Sequence, residues 1–386
     1  MEPPVRILHV HSTFSLGGKE ARAVRLMNAF GDRARHSILS AMPGRLSARD
    51  AIDPAVSVDF PDDAPPLTGP PTPARLFRLS RYMRRFDLVL TYNWGAFDMV
   101  MAANLFGGAP LIHHEDGFNE DEAKALKSRR NIYRRIGLRG ALRLVVPSRT
   151  LERIARNAWG QMPARIVRIP NGIPVERFAR PPEPGAIPGF ERRPGEVVVG
   201  TVAGLRKVKN LPRLVRAFAK LPVANSRLVI VGEGPESEAI AAEARARGVA
   251  DRVLMPGFVA DPARYMGQFD IFALSSDSEQ FPISLVEAMA AGLPAAATDV
   301  GDVGAIVSDD NRPLIVRAGD EAAFAAALAS LAERPDLRRA IGLANREMTA
   351  ANYDERRMID RYARLYGEAI GRPRAFSVSP ALVSPV

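Results

Sequence analysis

The chain has 386 residues, 47% of them apolar and 25% charged, which excludes a disordered protein and predicts two domains with separate cores. It has no cysteine, which excludes disulfide scaffolds, thiolate-bound metals and thiol catalysis. The net charge is +10, and residues 1–180, with 28 Lys+Arg against 17 Asp+Glu, carry all of this excess. An anionic partner for the first half and a coding bias towards arginine explain the excess equally well.

No segment approaches the roughly 20 consecutive apolar residues that span a bilayer. The residues before the apolar run at 5–10 also lack the basic segment of a signal peptide. We therefore expect a cytoplasmic protein.

In the first half, short apolar runs alternate with helical patterns. Strands are predicted at 5–11, 36–41, 56–60, 88–92, 110–114, 144–147 and 165–169, and helices at 19–30, 73–85, 96–105, 128–139 and 148–157. Such alternation predicts an α/β fold with a parallel sheet covered by helices on both faces.

The alternation starts again after a Pro- and Gly-rich stretch at 181–194, where we place the domain boundary. Strands are predicted at 197–203, 227–231, 253–255, 271–274, 295–298 and 314–316, and helices at 210–220, 235–247, 284–291, 321–331, 336–350 and 354–370. The predicted domains are 1–180, completed by a closing helix at 355–371, and 190–354, with a disordered tail at 372–386. Two doubly wound domains of this kind face each other across a ligand cleft.

The most informative stretch is 275–294, which contains two carboxylates eight positions apart. Glu279 follows a predicted buried strand, and Glu287 lies in the first turns of the next helix. Unpaired N–H groups and a positive dipole end are expected at the start of that helix, and both attract a diphosphate. The residues there are Phe281, Pro282, Ile283, Ser284 and Leu285. Taken alone, the spacing fits a capping glutamate beside an exposed helix residue better.

Basic residues follow the first strand of the second half. Arg206 offers a planar fork of donors and Lys209 a compact ammonium, both suited to a diphosphate whose charge grows as it departs. The plain alternative for such a run is a solvated basic turn.

Two glycine pairs also follow predicted strands. Gly232 and Gly234 allow the backbone to approach a ligand closely, and Gly17 and Gly18 are placed to offer N–H groups to the same phosphates. Neither the dinucleotide fingerprint G-x-G-x-x-G nor the P-loop pattern occurs, so these readings are excluded.

Taken in order, these motifs resemble family 4 of the glycosyltransferases. The matching segments are 17–20 (GGKE), 170–173 (PNGI), 204–210 (GLRKVKN), 231–235 (VGEGP) and 279–294, which ends in EAMAAGLP. The resemblance covers most of the chain. It implies the GT-B fold, with a carboxyl-terminal helix that crosses back to the first domain. It also implies a retaining, metal-independent hexosyltransferase that uses a nucleotide-sugar donor and no cofactor.

The resemblance also assigns roles to individual residues. Arg206 and Lys209 would bind the donor diphosphate, Glu287 would hold the ribose, and Glu279 would orient the transferred sugar. Residues 281–285 would touch phosphate and sugar, and Gly18 the phosphate. The base would be contacted near Phe258 and Val259 and by residues 232–234. The leaving phosphate would accept the acceptor's proton in a front-face displacement, so no protein nucleophile is expected.

Two departures from the family pattern concern the reacting sugar. Gln280 stands where many relatives have glycine after the first motif glutamate. The segment 113–117 (HHEDG) allows more than one alignment with the family's histidine, so His114 and Asp116 are both candidates to face the anomeric carbon. The alternative is a pair of histidines at a sheet edge, bonded to the backbone.

Arginine-rich helices in the first half suggest a membrane partner. The two clusters are Lys124, Lys127, Arg129, Arg130, Arg134, Arg135, Arg139 and Arg143 at 124–143, and Arg75, Arg78, Arg81, Arg84 and Arg85 at 73–85. Interleaved apolar residues suit an anionic membrane surface or a lipid-linked acceptor, whereas ordinary core-facing helices with solvated arginines are the alternative. We therefore expect an enzyme of cell-envelope glycan synthesis whose acceptor is a lipid-linked or polysaccharide hydroxyl.

Two rival functions remain open. A nucleotide-sugar 2-epimerase shares the architecture and would need acid–base groups, for which residues 113–116 are the candidates. A non-catalytic anion- or saccharide-binding protein would exploit the basic first half. Nucleic-acid binding is not expected, because few aromatic residues are interleaved with the arginines.

Overall fold

The structure is a computed structural model that describes residues 3–118, 122 and 126–377. These residues form two compact units. The first unit contains the chain up to Asn171 and again from Arg356, and the second contains Gly172–Glu355. No helix within the described ranges is long and apolar enough to cross a membrane.

The first unit is built on a parallel sheet. Its strands are β1 (Val5–His11), β2 (Ala34–Ser40), β3 (Ser57–Asp59), β4 (Leu88–Tyr92), β5 (Leu111–His114), β6 (Arg143–Val146) and β7 (Ile166–Arg168). Their order is β3-β2-β1-β4-β5-β6-β7, so the strand order reverses at β1. The central strands are buried on both faces, which explains why they read as continuous apolar runs.

Helices cover both faces of this sheet. They are α1 (Gly18–Phe30), α2 (Pro73–Met83), α3 (Phe97–Phe106), α4 (Ser128–Gly137), α5 (Arg149–Asn157) and α13 (Glu355–Ala369). One core contains Ile7 of β1 together with side chains of α1 and α13, and the other contains Leu8 together with side chains of α2, α3 and α5. Neighbouring residues of β1 therefore face opposite cores.

The second unit repeats this design. Its strands are β8 (Val197–Val202), β9 (Ser226–Val231), β10 (Val253–Gly257), β11 (Ile271–Leu274), β12 (Ala295–Asp299) and β13 (Ile315–Arg317), in the order β10-β9-β8-β11-β12-β13. The helices are α6 (Val175–Phe178), α7 (Leu211–Phe218), α8 (Ser237–Ala246), α9 (Ile283–Ala290), α10 (Val303–Ile306), α11 (Glu321–Glu333) and α12 (Pro335–Asn352). Two doubly wound α/β units and a carboxyl-terminal helix that returns to the first unit confirm the predicted fold class.

The observed change of unit lies between Asn171 and Gly172, upstream of the predicted boundary at 181–194. The reason is packing: Ile173 and Phe178 are buried in the core of the second unit. The short helices α6 and α10 were not predicted, because four residues carry too little periodicity to be recognised.

The predicted disordered tail also begins differently. Residues 372–377 are described, and the ring of Phe376 is fully buried, with its centroid 4.6 Å from that of Phe30. The start of the tail is ordered because the Phe376 ring packs against the Phe30 ring at the end of α1. Residues 378–386 lie outside the described residues.

Candidate active site

Two loops of the second unit meet at the carboxyl ends of neighbouring strands. β8 and β11 pair in the sheet, and the chain leaves them through residues 203–210 and 275–282. Lys209 Nζ lies 2.5 Å from Glu279 Oε1, and Ser276 Oγ donates to the same oxygen at 2.7 Å. The structure thus brings together two predicted site residues from separate motifs.

Further hydrogen bonds tie these loops to each other. Asp277 N donates to Val208 O at 2.8 Å, and Ser275 Oγ donates to Lys209 O at 3.0 Å. Asn210 adopts a left-handed conformation with φ of 44°, and its Nδ2 reaches both carboxylate oxygens of Asp277 at 3.1 and 3.2 Å. Because the backbone on both sides is fixed, the Lys209 ammonium is held in place by the protein itself.

Arg206 stands at the start of the same loop and behaves differently. Its side chain is exposed and forms no ion pair with any residue that the structure describes. A solvated guanidinium beside a fixed ammonium gives this strand end an unneutralised positive charge, which suits an anionic ligand.

The two predicted phosphate-side glycines have a packing reason of their own. Gly232 has φ of 138°, and a Cβ there would lie 1.9 Å from Ala203 O; Gly234 has φ of 157°, and its Cβ would lie 2.4 Å from Leu205 O. Leu205 N also donates to Glu233 O at 2.8 Å. The neighbouring loop alone therefore explains these glycines, and their contact with a ligand stays a prediction.

Helix α9 begins beside this loop pair. Pro282 is its N-cap, and no described side chain caps the N–H groups of the first turn, which include those of Ile283 and Ser284. Glu287 lies farther along α9, near the phenol of Tyr265, whose pKa is raised by burial and then by the Glu287 charge. The contacts predicted for residues 281–285 and Glu287 stay predictions, on a helix end open to an anion.

Gly301 belongs to the site although the sequence did not single it out. It has φ of 61°, and a Cβ there would lie 2.3 Å from Glu279 O and 3.0 Å from Gln280 O. The backbone that carries the first motif glutamate therefore rests directly on Gly301. The available signal was a glycine three positions after the predicted strand at 295–298.

The predicted base-contacting residues lie at the end of β10. Phe258 is 65% exposed, and its N–H donates to Glu233 Oε1 at 3.3 Å. Val259 is partly buried, and its carbonyl accepts a hydrogen bond from Tyr265 at 3.3 Å. An exposed aromatic ring on an ordered backbone is available to stack on a planar ligand.

In the first unit, the predicted glycines begin helix α1. Gly17 is the N-cap and accepts a hydrogen bond from Ala21 N at 2.8 Å, and Gly18 is the first helical residue. A Cβ at Gly17 would lie 3.0 Å from the buried carboxylate of Glu20, which is itself paired with Lys19. This helix start therefore carries its own charge pair, and a phosphate contact at Gly18 stays a prediction.

Asp116 is held by a buried arginine. Arg22 of α1 binds both carboxylate oxygens, with Nη2 at 2.8 Å from Oδ2, and its Nη1 also donates to Asn171 Oδ1 at 2.9 Å. Burial opposes ionisation of Asp116, but the Arg22 charge lowers its pKa below the usual range. Asp116 is thus an ionised partner of α1, and the same arginine joins α1 to Asn171 of the PNGI segment.

His114 lies in the core, which argues against its predicted catalytic role. It is 1% exposed; Nδ1 lies 3.2 Å from Thr91 O, and Nε2 lies 2.9 Å from the hydroxyl of Tyr366 on α13. Burial, followed by the Arg22 charge, lowers the pKa of His114 to about 3, so its ring is neutral. The alternative of a backbone-bonded histidine fits this geometry.

Two arginines of the predicted basic surface are structural. Arg75 is buried and donates to Pro66 O at 3.0 Å, to the carbonyls of other residues between 67 and 70, and to Asp98. Arg134 is buried between Glu115 and Glu122. Lys124 lies outside the described residues. The surface clusters are therefore smaller than the sequence suggested, because local spacing does not show which arginine turns inward.

The described residues contain no cluster of side chains that could form a metal site. Nowhere in the described part of the chain do three or more His, Asp or Glu side chains converge as ligands. The expectation that the protein works without a metal or cofactor stays a prediction.

Comparisons with known proteins cover both units. Residues 6–177 match the family model described as Glycosyltransferase Family 4, and residues 187–348 match the model described as Glycosyl transferases group 1. These two matches include every predicted site residue of both units.

Two curated relatives illustrate the range of similarity. N-acetyl-alpha-D-glucosaminyl L-malate synthase of Bacillus anthracis is 28% identical over 176 residues, which is 45% of this chain and 46% of that protein. The lipopolysaccharide core biosynthesis glycosyltransferase LpsD of Rhizobium meliloti (strain 1021) is 22% identical over 370 residues, which is 95% of this chain and 100% of that protein. The match thus spans about half the length of the first relative and all of the second.

A solved structure shows the same architecture. HepE of Anabaena, in complex with UDP, aligns with a TM-score of 0.76 at 18% identity, over 94% of this chain and 100% of that one. At this level of identity, the alignment establishes the GT-B fold.

Proposed function

The chain belongs to glycosyltransferase family 4, and we propose that it is a retaining enzyme that transfers a hexosyl group from a nucleotide-sugar donor to a hydroxyl of a lipid-linked or polysaccharide acceptor in cell-envelope glycan synthesis. The observation that carries this proposal is the arrangement of Lys209, Glu279 and Arg206 at the carboxyl ends of β8 and β11. Ligands of doubly wound sheets bind at this edge.

In the proposed reaction, the bond between the anomeric carbon and the donor phosphate breaks, and a bond from that carbon to the acceptor oxygen forms on the same face. The acceptor's proton passes to the leaving diphosphate. Lys209 and Arg206 stabilise the charge that grows on this leaving group, and the amides at the start of α9 add donors that need no rearrangement.

The carboxylate of Glu279 has two roles in the proposed reaction. It holds the Lys209 ammonium at 2.5 Å, and the remaining acceptor capacity of its oxygens is available to sugar hydroxyls. Because Ser276 Oγ also donates to Oε1, the other oxygen, Oε2, is the acceptor that we assign to the sugar. Glu287, on α9, is assigned to the ribose.

The donor class is supported by the solved structures with this fold. HepE is described in complex with UDP, with UDP and glucose, and with UDP-glucose. For this chain we infer a nucleotide diphosphate sugar, with the exposed Phe258 ring stacked on the base. The envelope role rests on the full-length similarity to LpsD, which is described as acting in lipopolysaccharide core biosynthesis.

We further infer that the first unit contacts an anionic membrane surface. On α2, Arg78 and Arg81 are exposed, and on α4, Arg129 and Arg135 are exposed. Each basic residue near an anionic leaflet contributes about 1 kcal/mol of attraction, which salt screens. Binding to anionic vesicles at low salt and its loss at high salt is the expected behaviour, and an absence of binding at low salt would remove this part.

The transfer itself is tested in two steps. A thermal-shift panel of nucleotides and nucleotide sugars identifies the donor, since a ligand at 100 times its dissociation constant adds about 2.7 kcal/mol to the free energy of unfolding. NMR of the product then compares its anomeric configuration with that of the donor. An inverted product would overturn the retaining mechanism.

The same assay without acceptor tests the epimerase alternative. Only an epimerase isomerises the donor alone, and it requires acid–base groups beside the sugar. The candidates for those groups are unfavourable here, because His114 is neutral and buried and Asp116 is paired with Arg22. Isomerisation of the donor without acceptor would nevertheless establish that activity.

A further inference from the structure

An open pocket of about 680 Å³ lies in the first unit, apart from the five glycosyltransferase-like motifs, and two of its lining residues belong to the basic cluster at 124–143. Its lining residues are Arg135, Arg139, Gly160, Gln161, Met162 and Arg165. Arg139 precedes β6 and Arg165 immediately precedes β7, so the pocket opens at the amino ends of these strands. Ligands of doubly wound sheets bind at the opposite, carboxyl ends, and the pocket is therefore separate from a sugar-transfer site.

Its three arginines lack counter-ions. Arg165 Nη1 donates to Arg139 O at 3.1 Å, but none of the three guanidinium groups is paired with a carboxylate among the described residues. By contrast, Arg134, which directly precedes Arg135 in α4, is paired with two glutamates. Three unneutralised cations around one pocket repel each other, and a bound anion that accepts from several of them relieves this repulsion.

Gly160 shapes the pocket wall. It has φ of 61°, and a Cβ there would lie 2.8 Å from Nε and 3.2 Å from Nη2 of Arg135. The Arg135 guanidinium therefore packs directly against the backbone of Gly160. A glycine at this position provides both the left-handed turn and the room for that guanidinium.

Exposed apolar side chains surround these charges. Met162 in the pocket is 61% exposed, and Ile132 and Ile136 on α4 are 60% and 43% exposed. Helical spacing places Ile132, Arg135 and Ile136 within a sector of about 100° on the solvent side of α4. A free phosphate gains nothing from such neighbours, whereas large apolar side chains beside cations are typical of a surface that enters the headgroup region of a membrane.

We propose that this pocket binds the phosphate of an anionic phospholipid headgroup. Arg135, Arg139 and Arg165 bind the phosphate oxygens, while Met162 and the isoleucines of α4 enter the apolar boundary below the headgroups. The inference rests on the membrane contact proposed above and assigns its lipid-binding site. No covalent bond changes in this binding.

The test is vesicle co-sedimentation of the full chain at low salt. The vesicles contain phosphatidylcholine mixed with phosphatidylglycerol, and pure phosphatidylcholine vesicles are the neutral reference. In the double variant Arg135→Gln/Arg165→Gln, we expect the partition coefficient to fall about 30-fold, since each arginine at an anionic surface contributes about fivefold. Met162→Ser keeps the charge and removes the apolar insertion, and we expect it to lower binding about tenfold.

Arg153→Gln/Arg156→Gln is the matched control. These arginines of α5 are exposed in the same unit and make no ion pair with described residues, so the loss of charge is equal. We expect a fall of less than about threefold, because these positions lie outside the pocket. Equal losses of vesicle binding in the two double variants would overturn the assignment of lipid binding to the pocket, because the overall positive charge of the unit would then explain the binding. Wild-type binding that is equal on neutral and anionic vesicles would overturn it as well.

Calorimetry with inorganic phosphate separates the two sources of the anion. Saturable phosphate binding that the pocket variant loses, together with unchanged vesicle binding, would assign the pocket to a free phosphate and overturn the lipid assignment. Circular dichroism of each variant checks folding. If the double variant unfolds, Met162→Ser provides the test, and unchanged vesicle binding by that variant would overturn the lipid assignment. Vesicle binding needs no donor sugar, so a chain that binds vesicles through the pocket but transfers no sugar would refute only the transfer.

Discussion

Replacement of Lys209 tests the proposed chemistry most directly. Lys209→Ala removes an ammonium that lies 2.5 Å from Glu279 Oε1, within a loop pair that other hydrogen bonds keep in place. Loss of one fixed donor to developing charge typically lowers turnover by about 10²–10³-fold, or about 2.7–4 kcal/mol of transition-state stabilisation. We expect a loss of this size in kcat, with a smaller change in KM.

The ion pair also contributes to stability. Its two side chains are 18% and 11% exposed, so removal of the lysine leaves a largely desolvated carboxylate whose remaining partner is Ser276 Oγ among the described residues. We expect the free energy of unfolding of Lys209→Ala to fall by about 1–3 kcal/mol. Urea titration measures this loss separately from the kinetic effect.

Lys207→Ala is the matched control for both measurements. Lys207 lies two positions earlier, is exposed, and makes no ion pair with a described residue. Initial rates with the donor found by thermal shift, at saturating and limiting concentrations, give kcat and KM for each variant. A folded Lys209→Ala protein with the turnover of Lys207→Ala would refute the role of the ammonium in leaving-group stabilisation.

Three further predictions concern stability and donor binding. Burial lowers the pKa of His36 to about 4 and that of His114 to about 3, so below pH 6.5 the unfolded chain binds protons that the folded chain does not. We expect the free energy of unfolding to fall by about 2–3 kcal/mol per pH unit between pH 6 and 4; equal urea midpoints across this range would contradict it. Gly232→Ala would place its Cβ 1.9 Å from the Ala203 carbonyl oxygen, far inside van der Waals contact, whereas Gly248→Ala, with φ of 67°, has open space around its Cβ. We expect losses of more than about 3 kcal/mol and of about 1 kcal/mol respectively in urea titrations, and equal losses would show that the loop relaxes. Phe258→Ser leaves the core intact and should weaken nucleotide binding about 5- to 100-fold in calorimetry, with an unchanged affinity arguing against stacking.

The fold was predictable because its signals are local. Alternating apolar runs and helical patterns give the order of strands and helices, and the closing helix α13 is recognised by its own periodicity. The unit boundary was placed late because Ile173 and Phe178 look like linker residues until the core that buries them is known. Phe376 was assigned to a disordered tail for the same reason.

The site was predictable as a set of motifs but not as a set of contacts. Glu279 and Lys209 are 70 positions apart in the sequence, and only the pairing of β8 with β11 shows that their side chains meet. The burial of His114 and Arg134 depends on partners outside their own strand and helix, namely Tyr366 for His114 and Glu115 for Arg134, which no local pattern encodes. The roles of titratable side chains are therefore the hardest to predict from the sequence, because their surroundings in the fold decide whether they take part in catalysis or only stabilise the structure.

The return of α13 to the first unit has a consequence for synthesis of the chain. The core beneath α1 is closed by Tyr362, Tyr366 and Phe376, all supplied by the last part of the sequence. On the ribosome, the segment up to Asn171 emerges long before these rings exist, whereas Gly172–Glu355 is continuous and can complete its own core. The first unit therefore cannot complete its core until these later residues have been made, whereas the second unit can complete its core from one continuous segment.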